Sequence, residues 1–437
     1  MLRLKIKLQS LAIKLDKTLF KNSVIYIISE FSVKAIPLFL IPLLTSKLTK
    51  AEYGIVVNFQ VIAYFLNIAV AAGTYTAFWP MLNDKKNAAA KILSNFAVIP
   101  FLIGIMLCIC TFLFISGSFL EVPRAFILLG ITVAIGEYFV TLLSFLWLFQ
   151  NKAAFNALFK ICRALFELGL ILLIFHLWGT TWQNRIIIIS LSTLTFFTIA
   201  AIYFLKQRLI KFDANRTTLK NIFAKSIPAV PYELTLPVRQ IFERWFILIF
   251  LGSVFNGTYG LAVQLTTPIH LLCVALFNAL LPYIYKYKNE NTVEGNAGLR
   301  KMIFLYIGAV VAFSAVYIAA LPYAFEHIID KKYGDSFLIA VLLLAAVVIK
   351  NVYGLFTQFI IYQSRTKLLS LISTVSFVIT IFCIFLAAKY TDIKGVACAV
   401  IIAETITLII ILFAVRNISG KLMTKEAEPI FVTDLEF

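Results

Sequence analysis

Acidic side chains are scarce in this chain: 21 Asp and Glu stand against 39 Lys and Arg, and charged residues make up only 14% of its 437 residues. A soluble domain carries about 25%. With 61% hydrophobic residues and a mean hydropathy of +0.94, the chain is too apolar for a soluble globular fold. Cysteine is sparse and unpatterned: Cys108, Cys110, Cys162, Cys273, Cys383 and Cys398 lie in or beside apolar runs, with no C-x-x-C pair. That argues against a disulfide framework and a zinc ribbon, leaving small buried residues. The three histidines, His176, His270 and His327, are far apart in sequence, so no metal-ligand spacing is offered. No G-x-S-x-G, Walker loop or H-E-x-x-H is present, and the longest external loop, around Glu326–Ser336, is too short for a catalytic domain. No catalytic residue, metal ligand or organic cofactor is assigned. A cleavable signal peptide is not expected, because the first apolar run is too long and lacks a small-residue cleavage pattern. The net charge of +18 sits in short stretches between apolar runs. It therefore reads as a topology signal, not a nucleic-acid surface.

What the chain has in abundance is long hydrophobic runs. A span needs ~20 mostly apolar residues, and about twelve such runs follow one another from Ser23–Ser46 to Gly395–Val415. Transmembrane strands would be ~10 residues long with strict alternation, so the expectation is an all-α integral membrane protein. Placing the N-terminus inside puts 27 Lys and Arg on the cytoplasmic side against 8 outside, a positive-inside bias that leaves both termini cytoplasmic. Met1–Lys21 spaces Leu4, Leu8, Leu11, Leu15 and Leu19 at helical intervals among Lys and Arg. It reads as a basic amphipathic helix on an anionic leaflet, or simply as a topology-setting tail.

A duplication shows through. Ala51-Glu52-Tyr53-Gly54 opens the second run, and Gly257-Thr258-Tyr259-Gly260 lies early in the eighth, nearly half the chain away. The second run ends at Trp79-Pro80 and the eighth at Leu281-Pro282; Gln150-Asn151-Lys152 leads into the fifth and Gln363-Ser364-Arg365 into the eleventh. Matches in one order predict two six-helix lobes of the same orientation around a central cavity, the layout of a parallel-repeat transporter. The boundaries are 1–22 for the basic segment, 23–206 for the N-lobe, 207–229 for a cytoplasmic linker, 230–416 for the C-lobe and 417–437 for a cytoplasmic tail.

The opening runs of both halves carry charges. Glu30 and Lys34 sit in the first with Pro37 and Pro42; Glu233, Arg239, Glu243 and Arg244 sit in the seventh with Pro231 and Pro237. A charge at a bilayer centre costs roughly 2.5–3.5 kcal/mol on insertion scales, so these helices face a bundle interior or a wet cavity. Lys34, Arg239, Arg244 and Lys350 are the candidate contacts for an anionic headgroup, since ammonium and guanidinium groups match phosphate oxygens. Local pairing competes: Glu30 with Lys34 and Arg239 with Glu243 are i, i+4 pairs. Glu30, Glu137, Glu167, Glu243 and Glu404 are the candidate ion-coupling acids, because a carboxyl inside a bundle can exchange a proton during transport. Helix–helix pairing competes there too, for example Glu167 with Arg163.

The basic start, the charged first span, Glu52-Tyr53-Gly54, Glu243-Arg244 followed by Phe250-Leu251-Gly252, Gly257-x-Tyr259-Gly260 and Leu281-Pro282-Tyr283-Ile284-Tyr285 together resemble polysaccharide-export flippases. More narrowly, the chain resembles Wzx-type O-antigen and related lipid-linked oligosaccharide flippases of the multidrug/oligosaccharidyl-lipid/polysaccharide (MOP) superfamily. The resemblance spans Phe20 to Val415. Where this chain has Glu243-Arg244, members often carry Asp-Arg. The resemblance implies a MATE-like bundle in the bacterial inner membrane and a cationic lumen accepting an undecaprenyl-diphosphate-linked repeat unit. It also implies alternating access with proton or sodium antiport, and polysaccharide polymerase and chain-length machinery as partners. A drug or cation antiporter of the sister family is the alternative, and would want an acidic chamber. A glycan polymerase or an assembly scaffold ranks lower, for want of a large external loop and because of the intramembrane charges.

Overall fold

In hydrocarbon, every backbone N–H and C=O must be satisfied within its own segment, so the apolar runs fold as helices. The computed structural model describes residues 40–82, 89–150, 152–210, 216–290, 293–362 and 365–422. Helix α1 is described over residues 40–47. It is followed by α2 (Lys50–Ala71), α3 (Thr74–Leu82), α4 (Ala89–Phe114), α5 (Arg124–Phe149), α6 (Ala153–Trp178), α7 (Trp182–Lys206) and α8 (Arg216–Ser226). The second half contributes α9 (Val230–Phe250), α10 (Ser253–Glu290), α11 (Val293–His327), α12 (Ser336–Tyr362), α13 (Thr366–Tyr390) and α14 (Ile393–Leu422). Among the described residues, nine helices are long and apolar enough to cross a membrane: α2, α4, α5, α7 and α10 to α14. Helices α6 and α9 reach 26 and 21 residues but are interrupted by charges, Lys160, Arg163 and Glu167 in one and Glu233, Arg239, Glu243 and Arg244 in the other. The protein is a multi-pass helical membrane bundle.

Helices α2 to α8 share one apolar core built on Phe59, Phe78, Phe96, Tyr138, Phe204 and Ile222. Helices α10 to α12 share another around Ile269, Tyr306, Val310 and Leu344. A third core, with Leu44, Tyr53, Phe246, Tyr259 and Tyr333, joins the two lobes near the Lys50 end of α2.

Three local features depart from the hydropathy pattern. The expected span Tyr53–Trp79 is broken, because Ala72 takes a left-handed conformation (φ 46°) and Gly73 follows at φ 73°. A Cβ on Gly73 would lie 2.2 Å from the Ser226 carbonyl oxygen, so glycine is required where the end of α8 crosses. The expected linker holds a helix, α8, whose Ile222 belongs to the first core. Between α4 and α5, two short strands, β1 (Ser118–Phe119) and β2 (Val122–Pro123), form a hairpin. Its central residues Leu120 and Glu121 both have positive φ, the geometry of primed hairpin turns.

Helix α2 starts with a capping box between Thr49 and Glu52, which satisfies orphan backbone donors at its first turn. One turn on, it crosses α10 at two glycines. A Cβ on Gly257 would fall 1.7 Å from the Lys50 carbonyl oxygen, and one on Gly54 3.1 Å from the Gly257 nitrogen. The duplicated Tyr-Gly segments thus meet at a small-residue crossing, as membrane helices do when backbones approach closely.

Candidate functional site

The lobes are sealed at the Lys50 end and open towards the other. At the sealed end, Arg244 donates from one guanidinium nitrogen to the Asn256 backbone oxygen at 2.9 Å and to Asn256 Oδ1 at 3.3 Å. Asn256 Nδ2 donates to Asn58 Oδ1 at 2.9 Å, and Asn58 Nδ2 to the Leu120 oxygen at 2.8 Å. This buried chain runs from α9 through α10 to α2 and the β1–β2 hairpin. The Arg244 guanidinium also lies over the Tyr259 ring, 5.1 Å from its centroid. Outside it, Lys50 Nζ pairs with Asp335 at 2.8 Å, and Tyr333 donates to the Leu48 oxygen at 3.3 Å. Glu121, at the hairpin tip, bonds the Ser253 side chain. Partial burial holds its carboxyl above the usual range, and that bond opposes the shift.

Past this seal, two adjoining cavities open in the second lobe, the outer one reaching α2 of the first. The inner one, about 230 Å³, is bounded by α9, α10, α12 and α14 and includes Glu243, Tyr259, Thr266 and His270. The outer one, about 500 Å³, adds Tyr64 and Ile68 of α2 and the polar faces of α12, α13 and α14. Leu236, Arg239, Lys350 and Glu404 line both, so the charged residues form a waist between the chambers.

At the waist, Arg239 is held on two edges. Its Nε pairs with Glu243 Oε1 at 2.8 Å, one helical turn away, and its NH1 with Glu404 Oε1 at 2.8 Å, from α14. The other Glu404 oxygen accepts from the Tyr353 hydroxyl at 2.8 Å. Glu404 is only 4% exposed and Arg239 17%. Lys350 lies in the electrostatic reach of Arg239, Glu404 and Glu243. Among the described residues, no carboxylate comes within 4.0 Å of its ammonium.

Of the residues singled out in the sequence, the structure brings Arg239, Lys350, Glu243 and Glu404 together. Lys34 and Glu30 lie outside the described residues. Arg244 lines neither cavity and sits in the seal. Glu137 and Glu167 are also away from both cavities: Glu137 pairs with Arg163 at 2.6 Å and Glu167 with Arg185 at 2.9 Å. The pairing of Glu167 with Arg163 is replaced because Arg163 turns to α5 and α7, where it also donates to Thr193 at 3.0 Å. The described lining carries Arg239 and Lys350 against Glu233, Glu243 and Glu404, so it is charge-mixed and not cationic. The residues that sequence reasoning missed are the neutral polar ones of the outer chamber: Tyr353, Thr357 and Gln358 on α12, Ser373 and Ser376 on α13, and Thr407 on α14. Their signal is polar spacing of three or four residues within apolar runs, in step with Lys350 and Glu404.

The sequence pattern of a family described as polysaccharide biosynthesis protein matches residues 19–288, more than half of the chain. The chain belongs to this polysaccharide biosynthesis family. Its similarity extends to Lsg locus protein 1 of Haemophilus influenzae, 21% identical over 420 residues, covering 92% of this chain and 99% of the relative. An inward-facing multidrug-resistance MATE transporter of the MOP superfamily superposes with a TM-score of 0.69 at 15% identity, over 90% of this chain and 96% of the other. A MOP superfamily transporter from Pyrococcus furiosus, described as having a binding pocket of reversed polarity, gives 0.60 at 15% identity, over 94% and 96%. This family member therefore has the MOP-superfamily transporter fold.

Proposed function

We propose that the protein is a flippase for an isoprenyl-diphosphate-linked oligosaccharide, moving it from the cytoplasmic to the outer leaflet of a bacterial inner membrane by alternating access. The observation that carries this reading is Lys350: an ammonium without a carboxylate partner among the described residues, in a cavity that the second lobe of a polysaccharide biosynthesis family member forms with α2 of the first. A diphosphate oxygen gives this ammonium a direct partner. The Tyr, Gln, Ser and Thr side chains of the outer chamber suit sugar hydroxyls, and the isoprenyl tail stays in lipid. With both termini cytoplasmic, as the Lys and Arg distribution favours, the open end faces the cytoplasm, where such lipids are made. Proton or sodium antiport would supply the driving force.

The test is translocation of a fluorescent isoprenyl-diphosphate oligosaccharide by the purified protein in proteoliposomes. Lys350→Ala is expected to weaken headgroup binding by roughly 10- to 100-fold, the size of a charge-assisted hydrogen bond, and to abolish transport. Transport at the wild-type rate by that variant sinks the assignment. The three carboxylates of the lining favour a second reading, a cation or drug antiporter. Competition of a cationic dye with protons, without binding of an isoprenyl diphosphate, would establish that one instead.

A further inference from the structure

The waist neutralises itself. Both edges of Arg239 that bear bonds are filled by carboxylates, one from its own helix and one from α14, and the α14 carboxylate is in turn held by Tyr353. A carboxylate presents the same paired acceptor oxygens to a guanidinium as a phosphate does. We propose that Glu404 is a stand-in for the substrate's phosphate: it occupies Arg239 while the carrier is empty and gives up that edge when a diphosphate is loaded. This rests on the reading of the protein as a carrier of a lipid diphosphate.

Three features support the exchange. Glu243 is fixed to Arg239 by an i, i+4 spacing on one helix, whereas Glu404 reaches it from a different helix and is free to part from it when the chambers fill. Lys350 lines both chambers beside this pair without being bonded to either acid, so an incoming phosphate has a first anchor before it displaces Glu404. Arg239 is too buried for half of its guanidinium to be left unbonded, since buried donors of a charged group without a partner are strongly unfavourable. Glu243 covers one edge of Arg239, and in an empty carrier that closes over its site Glu404 fills the other edge from within. Glu404 thereby sets two quantities at once: it limits the affinity for substrate, and it permits the unloaded protein to reset.

The experiment measures binding of farnesyl diphosphate to the purified full-length protein, alongside transport in proteoliposomes. Glu404→Gln keeps the shape and removes the competing charge. It is expected to bind the probe about tenfold tighter, the size of one charge-assisted hydrogen bond no longer to be displaced, while transport falls. Tyr353→Phe, which frees one Glu404 oxygen, is expected to tighten binding in the same direction by a smaller factor. A merely structural Glu404 would weaken binding and transport together, and that outcome overturns the exchange. Should Glu404→Gln fail to fold, unchanged or weaker binding by Tyr353→Phe overturns it. If the wild type binds farnesyl diphosphate but neither variant tightens, only the exchange fails. If the wild type binds no isoprenyl diphosphate at all, the functional reading fails with it.

Discussion

Arg239 and Lys350 are neighbours with opposite energetic situations, and substitution should separate them. Removing Arg239 leaves Glu404, 4% exposed, and Glu243 as buried carboxylates without the cation they bond. Breaking a buried pair in this way costs about 3–5 kcal/mol, so Arg239→Ala is expected to lower the melting temperature markedly in detergent. Removing Lys350 breaks no ion pair among the described residues, so Lys350→Ala should melt at or above the wild-type temperature while losing headgroup binding. Thermal melts of the two variants side by side check this; equal destabilisation would contradict the pairing at the waist. How much of this site was legible follows the sequence separation of its contacts. The Arg239–Glu243 pair was visible as an i, i+4 spacing on one helix. The Glu404 partner was not, because it comes from α14 and only tertiary packing sets its distance. Arg163 and Arg185, which count among the 27 cytoplasmic and 8 outer Lys and Arg of the sequence, are each paired with an acid on a neighbouring helix. The positive-inside bias survives their removal. Arg244 was legible as an intramembrane charge but not as part of a seal, since its partner Asn256, and Asn58 to which Asn256 donates, are ordinary polar residues whose meeting depends on the crossing of α2 and α10.

That crossing carries the prediction at the scale of elements. Hydropathy identified nearly every helix, because a bilayer forces apolar runs of sufficient length to be helical. It did not show where a run breaks or where a polar segment folds: the Ala72–Gly73 kink depends on contact with Ser226, and α8 is too polar to register as a span. The Tyr-Gly duplication did mark the α2–α10 contact, though only as a repeat. Gly257→Ala places a methyl 1.7 Å from the Lys50 carbonyl oxygen, which no rotamer relieves. The helices must separate there, at a cost of about 1–3 kcal/mol by analogy with overpacked cores. Spin labels replacing Lys50 and Asp335 should report a longer mean distance in the Gly257→Ala protein than in its parent, and an unchanged distance would mean that this crossing does not hold the Lys50 end shut. By contrast, the Lys50–Asp335 pair has an acid 75% exposed, and Lys50→Ala alone should change stability by less than about 1 kcal/mol.

For the whole molecule, the direction of opening depends on orientation in the membrane. Fluorescent reporters fused to either end of the chain should both signal a cytoplasmic location. A periplasmic signal from one end would require an odd number of spans, and from both ends would turn the wide chamber to the outside. The joint between the halves adds a constraint of its own. Since α8 is part of the first lobe's core and α9 begins the second, what links them is Ile227–Ala229, a single short turn carrying Pro228. Even pulled straight, three residues reach roughly 10 Å. The halves are thus leashed at one corner: they can tilt about Ser226 but cannot drift apart. The largest excursions must fall at the rim farthest from that leash, and lengthening the leash with glycines should cost directional coupling well before it costs folding.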